Sequence, residues 1–185
     1  MKSPVAEGVQ LEREVLEPGL VVHRCPQSGG VFIPADSYWH WLRKNPNRLP
    51  QLPIDTAEPK PVKLTTSSDT DKMAKLCPVG GAVMVRCRVG HGFGFHLDRS
   101  ETGGIWLDSG EWELLKSRNF HDELHLMFAA PWQRKVREEE KKSGIETRLR
   151  ERLGEEVYAT LSELKSHLAG HPARSEALAF LSRGE

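Results

Sequence analysis

The chain reads as an α+β protein: two small ribbon-like β modules, each followed by a short helix, then a C-terminal helical region. Three observations in the 185 residues predict this. Val83, Val85, Cys87 and Val89 alternate with Met84, Arg86 and Arg88, and Phe93, Phe95 and Leu97 alternate after Gly90-His91-Gly92. Period two marks half-buried strands, and the glycines supply the hairpin turn. Setting Gly29-Gly30 on Gly103-Gly104 brings Val31-Phe32-Ile33 onto Ile105-Trp106-Leu107, and helix 35–44 onto 109–118. This is an internal repeat. Finally, Ile145, Leu149, Leu153, Val157, Leu161, Leu164 and Leu168 recur every three or four residues, the period of a helix.

The first module, residues 1–44, holds only half a ribbon on this reading. Leu20–Arg24 leads into Cys25-Pro26-Gln27-Ser28-Gly29-Gly30, and no Cys-Pro turn precedes it. Its helix carries Tyr38, Trp39 and Trp41 on more than one side, so some of them should meet another module or a partner. Residues 45–75 contain Pro46, Pro50, Pro53, Pro59 and Pro61 and then a Thr/Ser/Asp run, which reads as an extended linker with 65–71 mobile. Residues 76–118 form the second module. Its helix starts at Asp108-Ser109-Gly110-Glu111, where Asp can accept backbone amides and Glu can reach back. Residues 119–185 are helical, with breaks expected at Pro131, Gly154 and Gly170-His171-Pro172.

Two stretches carry a family resemblance. Cys77-Pro78-Val79-Gly80-Gly81 looks like a metal knuckle, Cys-Pro-x-Cys-Gly-Gly, with its second Cys missing and the run one residue short. Gly103-Gly104-Ile105-Trp106-Leu107-Asp108, followed by Gly110-Glu111, is similar to the close of the bacterial transcription factor IIB-type zinc-ribbon family, the Zn-finger nucleic-acid-binding proteins. The resemblance implies a zinc-ribbon fold, here degenerate. The family's zinc role carries over to Cys77 alone, because Ser28 and Thr102 stand where the last thiolate of a ribbon would be. Hydroxyls at both places predict knuckles closed by hydrogen bonds.

Composition narrows the function. Lys and Arg number 26, as do Asp and Glu, and this balance disfavours a dedicated duplex-DNA binder, which relies on phosphate neutralisation. Residues 131–185 hold eleven basic and ten acidic side chains, so the C-terminal region is a solvated helical face and not a basic arm. Cys25, Cys77 and Cys87 are an odd set outside any secreted disulfide framework and read as reduced thiols. No apolar leader or membrane span is visible, so a soluble, cytoplasmic protein is expected.

Candidate chemistry is sparse. Cys77, Cys87, His91 and His96 are able zinc ligands, but Cys87 and His96 sit on alternating strands, and Cys87 reads better as a small buried hydrophobe. The expectation is no bound cofactor, with zinc as the alternative. His121 and His125, four apart on an expected helix, suit a metal-dependent hydrolase as a remote alternative, although Asp122 stands where the metalloprotease pattern has Glu. No nucleophile elbow or phosphate loop is found, so the chain reads as a non-enzyme. Two functions remain. One is a protein-interaction or self-association module presenting Tyr38, Trp39 and Trp41. The other, implied by the resemblance, is nucleic-acid binding through Arg86, Arg88, Arg99, Arg134, Lys135 and Arg137.

Overall fold

The computed structural model describes residues 1–45 and 69–183, so most of the expected proline-rich linker lies outside the described residues. The chain divides into two units, Met1–Val136 and Arg137–Glu185. The division does not fall at residues 44, 75 and 118, and the two ribbon-like segments share the first unit.

They share it because their last strands pair. The strands are β1 (Glu12–Glu17), β2 (Leu20–Arg24), β3 (Val31–Ile33), β4 (Val85–Gly90), β5 (Phe93–Arg99) and β6 (Ile105–Leu107). They form one antiparallel sheet in the order β1-β2-β3-β6-β5-β4. At the centre Val31 faces Leu107, Phe32 faces Trp106 and Ile33 faces Ile105. Each repeat thus supplies three adjacent strands, and a pseudo-twofold axis runs between Phe32 and Trp106. Residues 12–24 form a complete hairpin, so the N-terminal repeat is not a half-ribbon. Its outer strand, Glu12-Arg13-Glu14-Val15-Leu16-Glu17, lies at the sheet edge and carries charges, which hides the alternation of a strand.

The repeat extends to the turns that open each segment. Leu11 N–H donates to the Met1 carbonyl and Met84 N–H to the Lys75 carbonyl, at 2.8 and 2.9 Å. Lys2 bridges Gln10 as Leu76 bridges Val83. Ser3-Pro4-Val5-Ala6 is therefore the counterpart of Cys77-Pro78-Val79-Gly80. Leu11 and Met84 are both buried at the base of their turns.

Helix α1 (Ala35–Lys44) follows β3, and α2 (Glu111–Ser117) follows β6. Tyr38 and Trp41 of α1 and Trp112 and Leu115 of α2 occupy equivalent positions, and all four are buried. They cover one face of the sheet with Leu20, Val22, Val31, Ile33, Val89, Leu97, Ile105 and Leu107. The other face holds a smaller cluster of Ala6, Leu11, Cys25, Phe32, Cys77, Met84 and Trp106. The alternation read from β4 and β5 has the right parity, since Arg86 and Arg88 lie opposite Cys87. Val83 and Val85 are nonetheless exposed, while Val89 is fully buried. Gly90 lies against Val136 of α4, so helical cover reaches that end of β4.

The stretch after α2 differs from the helix expected there. Asn119 takes a left-handed φ of 60°, and helix resumes only as the single turn α3 (Leu124–Met127). Pro131 opens helix α4 (Ala130–Leu153) in place of breaking one, and α4 runs through Gly144. A proline in the first turn costs no hydrogen bond, because the N–H it lacks has no helical partner.

The second unit contains the rest of α4, α5 (Glu155–Leu168) and α6 (Arg174–Ser182). Gly154 separates α4 from α5 with a φ of 79°, a backbone that glycine takes without a steric penalty. Neither α5 nor α6 buries a residue. No described helix is long and apolar enough to cross a membrane.

Candidate functional site

Four turns crowd the second face of the sheet, and their geometry explains why the chain repeats Cys-Pro and Ser-Pro. Cys25 N–H donates to the Gly30 carbonyl (2.8 Å), and Gly29 N–H returns to the Cys25 carbonyl (2.9 Å). Cys77 makes the same pair with Ala82 and Gly81, at 2.7 and 2.9 Å. The Cys77 turn is therefore as long as the Cys25 turn, with Gly80 at the place of Ser28 and of a knuckle's second thiolate. Backbone amides aim at the leading side chain in each turn. Ser28 N–H lies 3.4 Å from Cys25 Sγ, and Val79 and Gly80 N–H lie 3.4 Å from Cys77 Sγ. Val5 and Ala6 N–H reach Ser3 Oγ at 3.3 and 3.1 Å.

Of the two hydroxyls expected to close the knuckles on backbone amides, Ser28 does so, whereas Thr102 bonds another side-chain hydroxyl. Ser28 Oγ accepts Gly30 N–H at 3.3 Å, and Ser100 and Thr102 bond to each other at 2.9 Å. Burial pushes the Cys25 thiol up, but hydrogen bonds from the Ser28 and Ser3 side chains and from the Ser28 and Gln27 amides outweigh it. The thiol ends below its usual value. Cys25 thus has the partner that the sequence reading did not find. The signal for it was Ser3-Pro4, a Cys-Pro turn with oxygen for sulfur.

Counted by position, the N-terminal repeat offers Ser3, Ala6, Cys25 and Ser28 to a central ion, and the second offers Cys77, Gly80, Ser100 and Thr102. Each set has one thiol, hydroxyls, and a position with no donor at all. Structural zinc is held by four thiolates or imidazoles. These donor sets do not fit it. Nor does the structure gather the other zinc candidates. Cys77 is buried on one face, and Cys87 lies on β4 opposite Leu97. The His91 ring packs against Trp132 and Phe120 at 4.7 and 5.4 Å. His96 Nδ1 lies 3.0 Å from Asp71.

The His121/His125 pair is likewise dispersed by its surroundings. His121 precedes α3 and is buried between Trp41 and Trp112, with ring centroids at 5.8 and 5.5 Å. His125 lies on α3 against Trp39 at 4.8 Å, and burial lowers its pKa against the opposing pull of Asp122. Tyr38 Oη accepts Leu124 N–H at 3.1 Å, which pins α3 to α1; burial pushes its phenol well up.

Beside the turns lies a buried charge cluster. Lys75 and Asp98 are each 1% exposed, and Lys75 Nζ lies 2.7 Å from Asp98 and 3.3 Å from Asp108. Arg86 adds a bond to Asp98 at 3.0 Å, and Trp106 Nε1 and Thr70 Oγ1 donate to Asp108 at 2.7 and 3.0 Å. Asp71 accepts both N–H and Nδ1 of His96. Thr70 and Asp71, the tail of the expected mobile run, are fixed in this cluster, and Asp69–Lys72 is a short 3-10 helix. Asp71, Asp108 and Glu111 form the one group of three or more metal-capable side chains within 4.8 Å of one another among the described residues. Protein donors already serve all three, Asp108 N–H bonding Glu111 Oε2 at 2.7 Å.

No family model matches the chain, and neither curated proteins nor solved structures give a match. Of the residues expected to face a partner, Tyr38 and Trp41 are core, and Trp39, 42% exposed, is the one presented outward. It borders a shallow hollow with Asp36, His40 and Arg43. Arg86 is spent on Asp98 and the Met73 carbonyl, Arg88 Nε donates to His96 at 3.2 Å, and Arg99 lies over the Phe128 ring. Arg134, Lys135 and Arg137 are exposed on α4.

Glu111 gives the cluster a pH signature. Burial first, then the Asp108 and Asp71 charges, push its carboxyl up to about 9, against the pull of Lys75. An acid raised on folding takes up a proton when the chain folds. Its contribution to stability therefore declines as pH rises from about 4.5, the unfolded value, towards 9. Glu111→Gln, which keeps the neutral shape, should be increasingly more stable than the parent as pH climbs from 5 through 7 to 9 in urea titrations. A difference that stays constant over that range would contradict a raised Glu111.

Proposed function

We propose that this chain is a non-catalytic binding and assembly module acting by protein–protein contact. Its duplicated sheet is a metal-free descendant of the zinc-ribbon type. The observation that carries this reading is the second unit. Ile145, Leu149, Leu153, Val157, Leu161, Leu164, Leu178, Phe180 and Leu181 are all exposed there, and α5 and α6 bury nothing. A 14-residue helix is marginal in water by itself, and most helical stability comes from packing an apolar face. Exposed apolar surface on this scale marks a contact site.

The single-thiol donor sets support the metal-free part. Ser-OH and Thr-OH bonds, the Phe32–Trp106 pairing and the Lys75 cluster supply the cross-links that an ion gives a small ribbon. The buried free thiols of Cys25 and Cys77 support a reducing, cytoplasmic setting.

Nucleic-acid binding is the competing reading, favoured by the exposed Arg134-Lys135-Arg137 run. That run leads directly into Glu138-Glu139-Glu140, and two of the other arginines proposed for phosphate are bonded to Asp98 and His96. The test uses the full chain and its Leu161→Glu/Leu164→Glu variant as baits after nuclease treatment, with a gel shift against generic RNA and DNA at low salt. A protein species held by the parent and lost by the variant is the expected result. A salt-sensitive shift of RNA or DNA that survives the double substitution would replace this reading with the nucleic-acid one.

A further inference from the structure

We infer that the outer strand of the second repeat carries a docking surface for an acidic, aliphatic segment of another protein, whose carboxylate Arg99 takes. The inference rests on the protein-contact reading above but names a separate surface, one that does not involve the α5 leucines. The pseudo-twofold supplies the comparison. Leu76, Val83 and Val85 stand where the first repeat has Lys2, Gln10 and Glu12. The N-terminal copy thus covers its outer strand with polar side chains, the usual protection of a sheet edge. The second copy sets three aliphatic side chains there, each more than half exposed. The first repeat shows that the fold does not need them, and grouped exposed apolar side chains mark a contact site.

Arg99 states what the contact must contain. It is the counterpart of Arg24, since Arg24 lies opposite Glu12 and Arg99 opposite Val85. Arg24 Nε and Nη2 donate to the two oxygens of Glu14 at 2.5 and 3.2 Å. Glu14 lies opposite Val22 as Cys87 lies opposite Leu97, so Cys87 occupies the place of that carboxylate. Arg99 is half-buried over the Phe128 ring, 4.9 Å from its centroid, and among the described residues no carboxylate lies within ion-pair distance of it. A guanidinium beside Val85, on the face that Val83 and Leu76 extend, asks for a carboxylate held by both arms of its fork, with aliphatic groups next to it. A second copy meeting the same patch would bring no carboxylate and would set Arg99 against its own counterpart. A phosphodiester would satisfy Arg99 but leave the three aliphatic side chains in water.

Selection from a display library of random short peptides on the nuclease-treated full chain tests this. The selected peptides should share an Asp or Glu flanked by aliphatic residues and should bind the purified chain in fluorescence anisotropy. Arg99→Gln should weaken them roughly tenfold or more. Val83→Gln/Val85→Gln, which makes two exposed positions polar as they are in the first repeat, should do so by a similar factor. Cys87→Glu installs the first repeat's own pair, so it should occupy Arg99 from within and weaken binding as much as Arg99→Gln. The near-ultraviolet dichroism of the sheet unit should stay unchanged throughout. An empty selection, peptides without an acid, or acidic peptides indifferent to Arg99→Gln or to the valine substitutions would overturn the inference. So would a folded Cys87→Glu chain that binds them undiminished. Generic RNA or DNA that binds through Arg99 and ignores the valine substitutions would also overturn it and give the surface to phosphate. If the selection fails while the full chain still holds a protein through Leu161 and Leu164, this inference ends and the protein-contact reading stands.

Discussion

Lys75→Met should be the most damaging single substitution in the sheet unit, costing about 3–5 kcal/mol of folding stability. The chain spends a full positive charge where only 1% of the side chain meets solvent, and two carboxylates hold it, Asp98 at 2.7 Å and Asp108 at 3.3 Å. Methionine fills the volume but leaves the Asp108 carboxylate with the hydrogen bonds from Trp106 and Thr70 to offset its buried charge. Asp98 keeps Arg86, so Asp108 is the group left exposed to the loss. Adding Asp108→Asn should therefore recover part of the deficit, whereas the same change in the parent should itself destabilise. Urea denaturation of the four proteins gives the cycle. A loss under about 1 kcal/mol for Lys75→Met, the range of solvent-exposed pairs, would show that the cluster is wet and unimportant.

Gly104→Ala should come next, at about 3 kcal/mol, the upper end of what overpacking a filled core costs. A methyl carbon there would sit 2.3 Å from Phe32 Cζ, and at Gly30 it would sit 2.4 Å from Trp106 Cζ2. The two contacts are images of each other under the pseudo-twofold. Each aromatic ring of the central pair lies over the glycine of the opposite repeat, so the second glycine of each Gly-Gly is what lets β3 and β6 approach. Phe32 is buried and has nowhere to retreat. Trimming it should help: Gly104→Ala with Phe32→Leu should be less destabilised than the sum of the two single changes, by 1 kcal/mol or so. Phe32→Leu should give no such relief to Gly30→Ala, whose clash is with Trp106. Equal coupling in both pairs would mean that the rings do not lie over opposite glycines.

The second Gly-Gly, the hairpin 85–99, both short helices and the break at Gly154 were legible because each rests on local chemistry. Alternation, capping and glycine turns need no knowledge of distant residues. Equating Val31-Phe32-Ile33 with Ile105-Trp106-Leu107 was legible too. What the sequence did not show is that equivalent strands would pair with each other, which fuses the repeats into one sheet. Ser3-Pro4 went unread as a knuckle because the ligand atom that marks one is missing. Lys75 and Asp71 lay in a polar, proline-flanked stretch whose composition resembles linker, and nothing local says that Asp98 and Asp108 will converge on them. Burial of charge is decided by tertiary pairing. His121 and His125 misled in the opposite direction: their spacing suits a helix, but the Trp41–Trp112 contact, 5.9 Å between rings, draws His121 into the core ahead of α3.

Hydroxyls, close-packed rings and one buried charge cluster are proposed to hold the two repeats together without a metal ion at Cys25 or Cys77. Thermal unfolding with and without a strong chelator, paired with elemental analysis of the same sample, tests that most directly. The expected outcome is one melting temperature in both buffers and no more than trace zinc. A near-stoichiometric metal content, together with a melting temperature that drops when the chelator is added, would contradict it.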